Sequence, residues 1–217
     1  MKPPIVSSLP GAGLRSVSVS AMDNNAYLLT CARSGAQLLV DAADDAGTLL
    51  EMVQQGSHAQ DGDGVRLDAV LTTHQHWDHH RALAAVATAT GARTLAGADD
   101  ADALPVSVQE RLVHGDSVQV GELVLDVVHL RGHTPGSVAL AWTDDAGTVH
   151  LFTGDSLFPG GPGKTGSAAE FASLMDDLQA RVFDVYPDPT LVYPGHGTGT
   201  TLGAERPHLA KWRARGW

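Results

Sequence analysis

Apolar and polar positions alternate through the first third of the chain, in "LRSVSVSA", "NAYLLTC" and "AQLLVDA". A period of two turns one face of each segment toward a core, so three strands are predicted, separated by Gly- and Asp-bearing turns. "GTLLEMVQQ" then changes to helical spacing. "LDAVLT", residues 67–72, reads as a buried strand, and the Ala-rich "RALAAVATATGA" after residue 80 reads as a helix stopped at Gly91. A short strand near "RTLAGA" comes next. "DSVQVGELVLDVVHL" predicts a hairpin around Gly121, continued by "SVALAWTDDAGTVHLFTGD" with a turn at 145–147. The last third holds an amphipathic helix, "AAEFASLMDDLQARV", a strand, "TLVYPG", and a terminal helix near "RPHLAKWRA". No repeat or low-complexity tract interrupts the pattern.

Strands with helices between them in both halves predict an α/β protein, with two packed sheets clothed by helices. Periodicity alone leaves a single doubly wound sheet open. The 217 residues, 43% of them hydrophobic, suffice for one domain, expected to span 1–217. No apolar run approaches the length of a bilayer span, and "MKPPIVSSLPGAG" lacks the apolar core of a signal peptide. The single cysteine allows no internal disulfide and suits a reducing compartment, so the cytoplasm is expected. Cys31 closes an apolar strand and reads as a small buried residue. A net charge of −11 without a basic run argues against nucleic acid as a partner. Only the tail, "KWRARGW", gathers three cations, and a helix C-terminus favours them anyway.

The chemistry is concentrated in "TTHQHWDHH", which places four histidines and an aspartate in nine positions between a strand and a helix. His74 and His76 alternate, so an extended backbone can aim both the same way. Asp78 and His79 follow where the chain turns. Imidazole and carboxylate together are a ligand set for zinc, iron or manganese at a catalytic site, whereas structural zinc favours cysteine. Three later loops carry further candidates just past apolar runs: His133 in "LRGHTPGS", Asp155 in "LFTGDSLF" and His196 in "LVYPGHGTG". Each has small neighbours that permit close approach of backbone.

The strings "THQHWDH", "GHTPGS", "TGDSLF" and "PGHG", in this order, resemble the metallo-β-lactamase superfamily from about "NNAYLL" to "TTLGAE", nearly the whole chain. The resemblance implies a four-layer αβ/βα sandwich with two divalent metal ions, zinc first, with iron or manganese as alternatives. It implies His74, His76 and His133 as ligands of one ion, Asp78, His79 and His196 of the other, and Asp155 as the bridge. A bridging aspartate is similar to the glyoxalase II-like thioester hydrolases; many β-lactamases place a cysteine near that position. "GDSLFPGGPGKTG" resembles the glyoxalase II substrate loop and makes Lys164 the substrate-binding candidate, although Gly166 stands where an aromatic residue is expected. The C-terminal helical domain of full-length glyoxalase II is expected to be absent. Asp41, at the end of "LLVD", matches an aspartate that braces the metal loop.

The activity so implied is hydrolysis of a small acyl-thiol by a metal-activated water, which Asp78 helps to orient. Two alternatives use the same residues: a persulfide dioxygenase with one iron on His74, His133 and Asp155, and a lactone or ester hydrolase. A monomer or a homodimer is expected.

Other features read as structural. "GPGKT" lacks the glycine that a phosphate-binding loop needs where Phe158 stands. His58, His114, His129, His150 and His208 have no flanking glycines and read as surface or core residues. His80 reads as ordinarily exposed, with a place at the site's mouth as the alternative. Trp212 and Trp217 are expected to pack the last helix or a dimer contact.

Overall fold

Seven strands build the first sheet in simple chain order: β1 (Ile5–Leu9), β2 (Ala12–Val19), β3 (Asn24–Cys31), β4 (Gln37–Val40), β5 (Ala69–Thr72), β6 (Arg93–Gly97) and β7 (Glu110–Leu112). The first four pair antiparallel and the last four parallel. The second sheet uses β8 (Ser117–Val120), β9 (Leu123–His129), β10 (Val138–Thr143), β11 (Val149–Gly154), β14 (Leu191–Pro194) and β15 (Thr200–Thr201). Its spatial order is β15-β14-β11-β10-β9-β8, with β11 and β14 parallel. A two-residue hairpin, β12 (Leu157–Phe158) and β13 (Gly161–Pro162), stands apart. The computed structural model describes residues 4–57 and 66–216, so His58 and Trp217 lie outside the described residues.

The period-two pattern sorts side chains into layers. Along β3, Tyr27, Leu29 and Cys31 face the second sheet, while Ala26 and Leu28 face outward. The inward set meets Leu125, Val127, Leu140 and Phe152 of the second sheet in a closed apolar seam. Outside the first sheet lie α1 (Ala46–Gly56) and α2 (Leu83–Thr90), through Leu49, Met52, Val53, Leu83 and Val86. Outside the second lie α3 (Ala168–Leu178), the short α4 (Leu202–Glu205) and α5 (Leu209–Arg215), through Leu174, Leu178, Leu202 and Trp212. The four layers are therefore helix, sheet, sheet, helix. The single doubly wound sheet is excluded, because Tyr27 and Phe152 from different sheets meet edge to face at 5.4 Å.

The predicted elements all appear, with trimmed ends. The helix after the histidine cluster begins at Leu83, because Arg81 and Ala82 donate their backbone N–H groups to Ala43 and Ala42. Gly91 caps it in the left-handed conformation (φ 70°), as its sequence position predicts. Trp212 packs inside its helix layer, against Phe183. Cys31 is buried, and so is His150, stacked on Trp142 and Tyr193. The strands β1, β7, β12, β13 and β15 have no counterpart in the sequence reading. No helix among the described residues is long and apolar enough to cross a membrane.

Candidate metal centre

Five strands deliver the candidate residues to one edge of the sandwich. Asp41 follows β4, the cluster 74–79 follows β5, His133 follows β9, Asp155 follows β11 and His196 follows β14. Strands β4 and β5 are parallel, and β9, β11 and β14 share one direction, so their C-terminal ends open on a common side. All seven proposed ligands converge there. Three groups have their donor atoms within 4.8 Å of one another: His74, His76 and His133; His74, His79 and Asp155; Asp78, His79 and His196.

Hydrogen bonds fix the tautomers of four rings. His133 Nδ1 donates to the Lys164 carbonyl at 2.6 Å, and His196 Nδ1 to the Met22 carbonyl at 2.8 Å. His79 Nδ1 donates to Asp41 Oδ2 at 2.9 Å. The Thr73 hydroxyl gives its proton to the same carboxylate, so its oxygen accepts from His74 Nδ1 at 3.0 Å. In its neutral form each ring is thus left with an unprotonated Nε2. These lone pairs face one another, His79 and His196 at 3.1 Å, His74 and His133 at 3.3 Å. His76 adds its Nδ1, 2.9 Å from His133 Nε2. Asp155 Oδ1 is buried without a hydrogen bond, although His79 Nε2 stands 3.4 Å away. Lone pairs and an orphaned carboxylate oxygen that converge in this way repel unless a cation lies among them. The donor set fits metal ions.

The electrostatics agree. Burial favours the neutral form of His79, but Asp41 and Asp155 outweigh it and push its pKa up to about 10, so a positive charge is favoured at this spot. Burial, reinforced by the neighbouring rings, holds His74 well below the usual histidine range. Burial also lowers His133, against the pull of Asp155. Asp78 is pushed up by burial, yet the hydrogen bond from Asn24 and the charge of His79 hold it below the usual carboxylate range.

Small residues and braces make the approach possible. A Cβ on Gly195 would lie 2.2 Å from Asp155 Oδ1 and 2.7 Å from His79 Cε1, so only glycine allows His196 to come this close. Asp41 takes a left-handed backbone (φ 60°), which lets its carboxylate receive Thr73 N, Thr73 Oγ1 and His79 Nδ1 together. Two positioning residues were not anticipated. Buried Asn24 donates to Asp78 Oδ2 at 2.9 Å, and buried Asp100 joins the two histidine loops by accepting from Gln75 N, Thr134 Oγ1 and Gly136 N. The only sequence hint of Asn24 is its place at the head of "NNAYLL"; Asp100 left none. His80 corrects the reading of exposure, since it is buried and its Nε2 donates to the Gln75 carbonyl, stapling its own loop. Lys164 is exposed beside the centre, tied to it by its carbonyl.

The family profile described as the metallo-beta-lactamase superfamily matches residues 20–196. The chain belongs to this superfamily. Among curated relatives, the hydroxyacylglutathione hydrolase of Fuscovulum blasticum is 37% identical over 80% of this chain, and that of Rhodospirillum rubrum 32% over the same share. The matches span 62% of the length of each of those relatives. Among solved structures, ETHE1 from Myxococcus xanthus superposes with a TM-score of 0.74 at 29% identity, covering 90% of this chain and 82% of that one. TTHA1623, solved in a di-iron-bound form, gives 0.67 at 31% identity, covering 88% and 96%. The BLEG-1 B3 metallo-beta-lactamase, with a TM-score of 0.75 but 24% identity over 90% and 97%, supports the fold.

Proposed function

We propose that the chain is a binuclear metal-dependent hydrolase of small thioesters, related in activity to the hydroxyacylglutathione hydrolases it matches. The observation that carries this is the convergence of five imidazoles and two carboxylates with their free donor atoms turned to one space. His74, His76 and His133 would hold one ion and Asp78, His79 and His196 the other, with Asp155 placed between the two groups. Zinc suits these ligands, and iron is supported by the di-iron form of the TTHA1623 relative. Bound there, such ions polarise a carbonyl and make water nucleophilic near neutral pH. The chain's own groups do the positioning. Asp78, held by Asn24, orients the attacking water, and Asp41 with Thr73 fixes the rings of His74 and His79. Lys164 binds the substrate. No serine or cysteine nucleophile is required.

The test measures metal per chain in the purified protein and offers it an acyl-glutathione thioester and a glutathione persulfide side by side. Two ions per chain and thiol release from the ester, without oxygen uptake, are expected. One iron per chain, with oxygen consumed on the persulfide and no ester cleavage, would replace this reading with the mononuclear dioxygenase.

A further inference from the structure

Arg81 stands two positions after His79 and uses one guanidinium in three ways. Nη1 donates to Asp44 Oδ2 at 2.7 Å, Nη2 approaches Met22 Sδ at 3.5 Å, and Cζ lies 4.0 Å from the centre of the Trp77 ring. Its backbone N–H is bound as well, to the Ala43 carbonyl at 3.2 Å. Three loops of the first sheet therefore meet on one side chain: 20–23 after β2, 41–45 after β4, and the histidine cluster after β5.

Each of these loops bears on the ion site of Asp78, His79 and His196. The Met22 carbonyl takes the His196 Nδ1 proton at 2.8 Å, Asp41 takes that of His79 at 2.9 Å, and Trp77 stands between His76 and Asp78. Two of the loops are also strained. Among the described residues, four other than glycine have left-handed backbone: Ser20 (φ 65°), Asp23 (φ 55°), Asp41 (φ 60°) and Asp45 (φ 48°). All four lie in 20–23 or 41–45. Such backbone persists only where the surrounding contacts over-determine it. Local bonds do part of this, as Met22 N donates to Ser20 Oγ at 3.0 Å and Thr48 N to Asp45 Oδ1 at 3.1 Å. Those bonds hold each loop internally; Arg81 ties one loop to the other. A lone surface ion pair contributes little, but a planar guanidinium can pair, stack and donate at once.

We propose that Arg81 is a positioning residue of the metal centre, a clamp that fixes loops 20–23 and 41–45 against the histidine cluster. Its contacts are with the loops that hold His79 and His196, so its effect falls on the ion of that group. The clamp rests on the binuclear reading for the ion it serves, but not for the ring it positions.

The experiment uses the full chain, freed of metal, as wild type, Arg81→Ala, Arg81→Lys and Gly91→Ala. Cobalt(II) is titrated as a probe and followed by its visible absorption, and NMR follows the Nδ1 proton of His196 before metal is added. In the wild type two ions should bind, and the His196 proton should be protected from exchange with water. Arg81→Ala is expected to weaken the second ion about tenfold, leave the first within about twofold, and expose the His196 proton to exchange. Arg81→Lys, which keeps a cation for Asp44 but not the planar stack, should fall between. Gly91→Ala, whose added Cβ meets nothing within 4 Å, should change neither readout. If Arg81→Ala fails to fold, the same two readouts on Arg81→Lys decide. One ion per chain in every variant, with the His196 proton still dependent on Arg81, would retain the clamp and remove the binuclear reading. Two ions held with wild-type affinity in a folded Arg81 variant, or both ions weakened in step with Gly91→Ala, would overturn the clamp.

Discussion

Gly195 shows how a single residue decides the metal centre. Its backbone needs no left-handed conformation; what it needs is the absence of a Cβ, since one would strike Asp155 Oδ1 and His79 Cε1. Gly195→Ala is therefore expected to lower metal content sharply while circular dichroism and cooperative unfolding remain. Gly91→Ala is the contrast, because that residue caps α2 at φ 70° with nothing within 4 Å. It should cost about 1 kcal/mol of stability and leave metal content unchanged. Equal metal loss in the two variants would show that Gly195 acts through general stability. At this scale the candidate ligands were legible, because histidines and an aspartate gather in one short loop and further candidates recur in three later loops that each follow an apolar run. Asn24 and Asp100 were not. An asparagine or aspartate in a loop is common, and their partners lie 54 and 25 to 36 positions away.

The loop that presents His133 depends on α3. Arg131, two residues before the ligand, gives Asp177 of that helix three hydrogen bonds, from N at 3.0 Å, Nε at 2.8 Å and Nη2 at 2.7 Å. Burial raises the Asp177 carboxyl, but these donors outweigh it and hold it below the usual carboxylate range. Its folded pKa thus lies under the unfolded value of about 3.9. The stabilisation is complete above that value and is lost as the pH falls through the folded pKa. Thermal melts of the wild type and Asp177→Asn between pH 3 and 7 should differ most above about pH 5 and converge toward pH 3. A constant gap would mean that the charge of Asp177 is not what fastens the loop. The helices and central strands were readable because their apolar faces repeat with a clear period. The edge strands β1 and β7 were not; β1 lies between prolines, and β7 has only three residues, too few for a period.

Across the whole molecule, the centre is a seam between two sheets. The first supplies residues 74–79 and the second His133, Asp155 and His196. Asp155 stands where the halves meet, with His79 Nε2 3.4 Å from one oxygen and His133 and His196 Nε2 3.6 Å and 3.5 Å from the other. Asp155→Ala should therefore reduce metal per chain below one and cut hydrolysis by at least about 100-fold. A variant that keeps two tightly held ions would refute the bridge. The sequence by itself determined the order of the helices and central strands, the layering of apolar faces and the seven candidate donors, since each is written in local spacing or residue type. It also carried the family, because the four strings keep their order along the chain. Periodicity left open whether the sheets face each other or join, which the resemblance and then the packing decided; tertiary structure alone decided which nitrogen each ring presents and which residues brace them. Those depend on contacts between segments tens to more than a hundred residues apart, and no local pattern encodes such distances.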